Sequence, residues 1–296
     1  MKVFKYSEWS ETAKTLHMIL QMIGKVKLSL MPAQPEWRQV LLYPTARGFT
    51  SGLMPDGDVS VDISVDLLSS MVEARSIDGK SAGFPLRNGA SVSEYHGEFM
   101  RMLENVSCRA TIFTVPQEVE YTTPFEEQTQ KRDYDVEAVK AYFENSVLAY
   151  RALLGFAAPY RGKKTLPGLF WGTFDVTTVL FSGLEKPFSG SGKIEKVAFA
   201  EQLVEFGFWP GGPEVDDPSF FVLPYPFVER DLGGAGTLSP KEAFYNTAGS
   251  QFRLTLKDAL RYDNPEAVIR QFCTDAFRIV TKEEKWANLE WLTKPF

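Results

Sequence analysis

The run Phe170-Trp-Gly-Thr-Phe-Asp-Val-Thr-Thr-Val-Leu-Phe181, bounded by Pro167-Gly168 and by Ser182-Gly183, restricts the fold of this chain more than any other stretch. It is aromatic, β-branched and apolar between breaker residues, which suits a strand buried on both faces. One ionisable side chain interrupts it, Asp175. A period of two sets Asp175 on the face of Trp171, Thr173 and Thr177, with Phe174, Val176 and Leu180 opposite. An unpaired charge inside such a strand is costly, so Asp175 must find a partner, take up a proton or reach a polar cavity. It is either a satisfied structural carboxylate or a functional one.

Upstream, Glu8 to Leu30 has helical spacing, with Leu16, Ile19, Leu20, Ile23 and Leu30 on one face and Ser7 or Ser10 as cap. His17, Gln21 and Lys25 recur every four residues and form a polar stripe, either solvated or turned toward a ligand cavity. Strands are expected at Val40–Pro44 and Arg47–Gly52. Strict alternation from Val59 to Asp66 marks another. A hairpin follows across Asp78-Gly79, then a helix from Ser91 or Ser93 to about Asn105 and a strand at Ala110–Pro116. Residues 117–133 are polar and poorly patterned, and read as a connection.

A helix from Asp133 or Asp135 to about Leu154 leads to the central strand. Beyond it, Lys196–Phe206 reads as a helix and Gly207-Phe-Trp-Pro-Gly-Gly212 as an irregular turn. Phe220–Val228 reads as an edge strand because of its prolines, and residues 251–257 alternate as another strand. A last helix spans Pro265 to about Glu283, with one further helical turn near Trp286 and Trp291. The order is helix, antiparallel strands, helix, twice over. It predicts an α+β protein of two similar halves, residues 1–116 and 134–296 joined by 117–133, packed as one unit with its sheets flanked by helices. An ancient duplication would produce that order.

The net charge of −6 and the lack of a basic cluster exclude nucleic acid as an expected partner and disfavour an anionic membrane surface. No apolar run approaches the ~20 residues of a membrane span, and the N-terminus lacks signal-peptide character. Only Cys108 and Cys273 are present. They fit reduced thiols, and the chain reads as cytoplasmic.

Gly190-Ser-Gly-Lys193 fails the phosphate-loop pattern at Pro187 and Ile194, and Gly233-Gly-Ala-Gly236 lacks the third glycine of a dinucleotide fingerprint. No Gly-x-Ser-x-Gly elbow occurs. Two histidines without paired spacing, His17 and His96, make zinc an unlikely ligand; no metal and no cofactor is expected. The candidate site is then a set of dispersed residues. His17 and Asp175 are its acid/base pair, Gln21, Lys25 and Arg47 its polar and anion-steering groups, and Trp171 and Trp209 its walls.

Four blocks carry a family resemblance: Thr15-Leu-His-Met18 with Gln21 and Gly24-Lys25; Leu42-Tyr-Pro-Thr-Ala-Arg-Gly48; Phe170-Trp-Gly-Thr-Phe-Asp175 through Phe181-Ser-Gly183; and Gly207-Phe-Trp-Pro-Gly211. In that order they resemble a mostly bacterial, uncharacterised family catalogued as domain of unknown function 5996. The resemblance implies that the chain is one unit over nearly its whole length, and it supplies no activity. Where the family carries a histidine ahead of the Gly-Phe-Trp-Pro block, this chain has Phe199–Phe206, with Glu201 and Gln202.

Three functions compete. The first is a cofactor-independent enzyme acting on a small molecule by acid/base chemistry in an aromatic-lined pocket between the halves. The second is a small-molecule binder using the same pocket without chemistry. The third is a structural or interaction module with a homodimer face.

Overall fold

Neither of the two units into which the chain folds is a continuous stretch. The computed structural model describes residues 1–295. One unit takes Met1–Glu144 together with Leu169–Phe174; the other takes Asn145–Gly168 and residues 175 onward. The expected α+β class holds, with two antiparallel sheets.

The first unit is built on α1, Tyr6–Leu30. Every residue from Thr15 to Lys27 is buried, so its polar stripe is not a solvated face. Strands β1 (Tyr43–Pro44), β2 (Gly48–Thr50), β3 (Met54–Asp56), β4 (Val59–Asp66), β5 (Met71–Ser76) and β6 (Ser81–Pro85) form a meander in the order β1-β2-β4-β5-β6, with β3 also paired to β4. The alternation in β4 is realised: Val61, Ile63 and Val65 are buried and the residues between them are not. Helix α2, Val92–Asn105, is capped by Ser91 and Glu94 in a reciprocal capping box. Both α1 and α2 pack on this sheet.

Of the expected strands in this unit, Val40–Pro44 is reduced to β1 and Ala110–Pro116 does not form. Pro35–Val40 winds as a 3-10 turn ahead of β1. Residues 110–116 stay irregular, because the backbone around Pro116 finds partners on the α1 side chains in place of a sheet ladder. The segment read as a connection folds within this unit, through an antiparallel bridge between Ser91 and Lys131.

Helix α3, Val136–Ala157, runs across the boundary between the units. The central run is not one strand. Strand β7 covers Gly168–Phe170, residues 171–174 turn, and β8 starts at Asp175 and continues to Glu185. Phe174 N donates to Phe170 O at 2.9 Å to close the turn, with Phe174 in a left-handed conformation (φ 64). Trp171 and Asp175 therefore do not share a strand face. Trp171 belongs to the first unit, and Asp175 opens the second sheet.

In the second unit α4 is short, Lys193–Ala198, followed by β9, Glu201–Trp209, β10, Ser219–Tyr225, β11, Phe244–Asn246, and β12, Gln251–Thr255. The order β11-β12-β10-β9-β8 is antiparallel throughout. The helix expected over Lys196–Phe206 is thus mostly strand, and Gly207–Trp209, read as a turn, ends it. Strand β10 lies inside the sheet and not at an edge. Pro224 is tolerated because it falls beyond Val222, the last residue paired with β12. Helices α5 (Leu256–Ala259), α6 (Pro265–Glu283) and α7 (Leu289–Leu292) complete the unit. One sheet face packs on helices: the Phe206 ring lies 4.5 Å from Phe156 of α3 and 6.0 Å from Phe277 of α6. The two sheets share a meander but end differently, since β11 and β12 exchange places in the second.

Candidate functional site

Four of the residues singled out in the sequence meet in the first unit, on or against α1. His17 is 9% exposed, and its Nε2 faces two carbonyl oxygens, Trp171 O at 2.9 Å and Gly172 O at 3.0 Å. The Gln21 amide nitrogen also lies 3.2 Å from this nitrogen; the two shorter carbonyl contacts outweigh it and favour the neutral Nε2–H tautomer of His17. Burial drives its pKa down to about 4, and the two carbonyls only partly oppose that shift. The Phe174 ring stacks on the imidazole at 4.9 Å.

One turn further along α1, Gln21 donates to Gln117 O at 2.7 Å and accepts from Gln117 N at 2.9 Å, imitating a rung of a β-ladder. Lys25 donates to Val115 O at 2.9 Å and to Gln117 Oε1 at 3.1 Å. Its ammonium lies 5.5 Å from the centroid of Phe113, 5.7 Å from Trp171 and 5.9 Å from Phe125. Desolvation in that apolar surround lowers its pKa to about 8, and no carboxylate among the described residues offsets it. Trp171 packs on the helix at Gly24, and its buried Nε1 has no hydrogen-bond partner. The stripe thus secures an irregular strap, residues 113–118, and the turn at 171–174.

Arg47 is not part of this group. It is exposed and pairs with Asp66 across β2 and β4.

Asp175 and Trp209 both lie in the second unit. On the sheet face turned away from α3 and α6, Thr177 is opposite Gly207 and Val179 is opposite Glu205. The same register carried one residue further sets Asp175 beside Trp209. Asp175 is 6% exposed. Glu205 is part-buried, and its pKa is pushed up to about 8, first by burial and then by the charge of Asp175. The buried Thr177 hydroxyl lies near enough to favour the ionised form of Glu205, but out of hydrogen-bonding geometry. Two carboxyl groups thus share a face on which Glu205 keeps its proton near neutrality. The Phe221 ring and the Thr177 methyl fill the space over Gly207, between the two rows. A β-carbon there would come within 2.3 Å of Phe221 Cζ and 2.9 Å of Thr177 Cγ2.

The indole of Trp209 supports the guanidinium of Arg253, whose Cζ lies 5.9 Å from the ring centroid. Arg253 reaches there from β12 across β10, where it is registered with Phe221. Glu205 and Arg253 were both missed in the sequence. The first lay in a stretch read as a helix, and the second was one of several polar residues in an alternating strand.

Among the described residues no group of three His, Cys, Asp or Glu side chains is placed to hold a metal ion, and no helix is long and apolar enough to cross a membrane. Both cysteines are free and buried. No curated protein and no solved structure matches the chain. The profile of one family matches residues 2–292, in agreement with the four sequence blocks, and the chain belongs to that family of unknown function, DUF5996.

Proposed function

We propose that the protein is a cofactor-independent enzyme that moves a proton on a small molecule, with Asp175 and Glu205 as its acid/base pair. The observation that carries this reading is the pair of carboxyls on one sheet face, where burial and the neighbouring Asp175 raise the pKa of Glu205. Glu205 holds its proton up to about pH 8 beside the charge of Asp175. A protonated acid and an ionised base on one face are what general acid/base catalysis requires at neutral pH. Trp209 supplies an aromatic wall next to Asp175. His17, Gln21, Lys25 and Trp171 serve in this reading as the framework of the strap and turn. An imidazole with a pKa near 4 and its Nε2 proton committed to two carbonyls is a poor proton carrier.

The test is proton exchange. Pools of small carbonyl and hydroxy compounds are incubated with the protein in deuterium oxide and followed by proton NMR for loss of exchangeable C–H signals. The expected outcome is exchange by the wild type that Asp175→Asn and Glu205→Gln each abolish while remaining folded. Exchange that survives both substitutions removes the assignment.

A non-catalytic binder is the second reading, favoured by the part-buried Trp209, which contributes contact area without any proton transfer. It predicts saturable ligand binding with no exchange at any pH.

A further inference from the structure

Arg253 stands apart from every other arginine that the structure places near an acid. Among the described residues it makes no ion pair and no side-chain hydrogen bond, and its Nε is fully buried without a partner. Desolvation weakens the hold of its guanidinium on the proton, and its close contact is the face of Trp209. A guanidinium whose Nε is buried without an acceptor is an unfavourable arrangement that a ligand acceptor would relieve. Its fork geometry is suited to two parallel hydrogen bonds with a carboxylate.

We infer that Arg253, held on Trp209, is the carboxylate-recognition residue of this sheet face, and that the ligand is a small monocarboxylate with a flat apolar body. The single negative charge follows from the neighbours. One guanidinium faces the ligand, no second cation among the described residues shares its row, and the charge of Asp175 on the same face disfavours a dianion such as a phosphate monoester more than a monoanion. The flat body follows from the floor, where the Phe221 ring occupies the space above Gly207. The length follows from strand geometry. Trp209, which holds the guanidinium, belongs to β9, one strand spacing of ~4.8 Å from β8, so a ligand on the order of 10 Å long reaches from Arg253 to the carboxyl pair. The location of the reacting end rests on the acid/base reading above; the recognition of the carboxylate does not.

The experiment compares 3-phenylpropanoate, the neutral 3-phenylpropanamide and phenethyl phosphate by ligand-observed NMR titration. The proteins are the wild type, Arg253→Met, Arg253→Lys and the double variant Asp175→Asn/Glu205→Gln. The wild type is expected to bind the carboxylate at least about tenfold more tightly than the amide or the phosphate, with Arg253→Met losing that preference and Arg253→Lys keeping part of it. The double variant is expected to bind the carboxylate as well as or better than the wild type. Equal binding of acid and amide, unchanged binding by Arg253→Met, or no binding to the wild type up to about 10 mM overturns the inference. Tighter binding of the phosphate overturns the choice of a monocarboxylate. Carboxylate binding that depends on Arg253 without any proton exchange defeats the enzyme reading alone.

Discussion

The indole of Trp171 occupies the place where a side chain at Gly24 would begin: a β-carbon on residue 24 would lie 2.2 Å from both Cδ1 and Cγ of the ring. Glycine in the middle of α1 costs about 1 kcal/mol of helix propensity relative to alanine, and here the packing of Trp171 offsets that cost. Gly24→Ala should therefore destabilise the protein by about 1–3 kcal/mol despite its better propensity, because the ring or the helix must shift. Urea unfolding followed by circular dichroism measures it. A gain in stability would mean the indole is free to move.

His17 titrates at about 4 when folded and near 6.5 when unfolded. Between those values the unfolded chain binds more protons, so stability is full above pH 6.5 and is lost as pH falls toward 4. A difference of that size corresponds to about 3 kcal/mol. His17→Gln should flatten this part of the stability profile, since glutamine offers a donor but does not titrate. Denaturant midpoints at half-unit pH intervals in both proteins provide the comparison.

Glu205 shifts the other way, from 4.5 unfolded up to about 8 folded. The folded state holds the extra proton between those values, so this group removes stability as pH rises from 4.5 to 8. Glu205→Gln should be more stable than the wild type at pH 8, by about 1 kcal/mol or more, and the difference should shrink toward pH 4.5. Carbon-13 NMR of the labelled carboxyls reports the titration directly. A Glu205 midpoint below 5 would contradict both the prediction and the acid/base pair.

Among the described residues Lys25 has two acceptors in the strap and no counter-ion. Lys25→Met keeps the length and apolar contacts of the side chain but removes both hydrogen bonds. Deuterium uptake at residues 113–118 should rise, while β4 and β5 keep their protection. Global stability should change little, because loss of the bonds and relief of ammonium desolvation oppose each other. Unchanged uptake in the strap would show that other contacts hold it.

Where one period dominated, the sequence was legible. The alternation of β4, the helical spacing of α1 and the Pro265 start of α6 all correspond to observed elements. It was misleading where one residue changed the backbone. Gly172 and the left-handed Phe174 convert a strand-like run into β7, a turn and β8, which separates Trp171 from Asp175. Lys196–Phe206 reads as a helix in the sequence, but Glu201–Trp209 is strand β9, its backbone paired on both sides by β8 and β10. Glu205 was hidden by that misreading. The grouping of His17, Gln21, Lys25 and Trp171 was accessible from helical spacing and the shared blocks. Their partners, the carbonyls of residues 115, 117, 171 and 172, were not, since backbone acceptors leave no mark in a sequence.

The chain leaves the first unit at residue 144, returns for residues 169–174 and leaves again. That brief return supplies Trp171 over Gly24 and Phe174 against His17, the rings that fill the interior of α1. A gene fragment ending at residue 144 would encode a helix missing its own packing partners, and one starting at 145 would carry an orphaned hexapeptide of misplaced core. Recombination at any single crossover therefore cannot transplant either unit intact. An interleaved pair of this kind is inherited most simply as one piece, in keeping with a family profile that runs from residue 2 to 292 without a break at the structural seam.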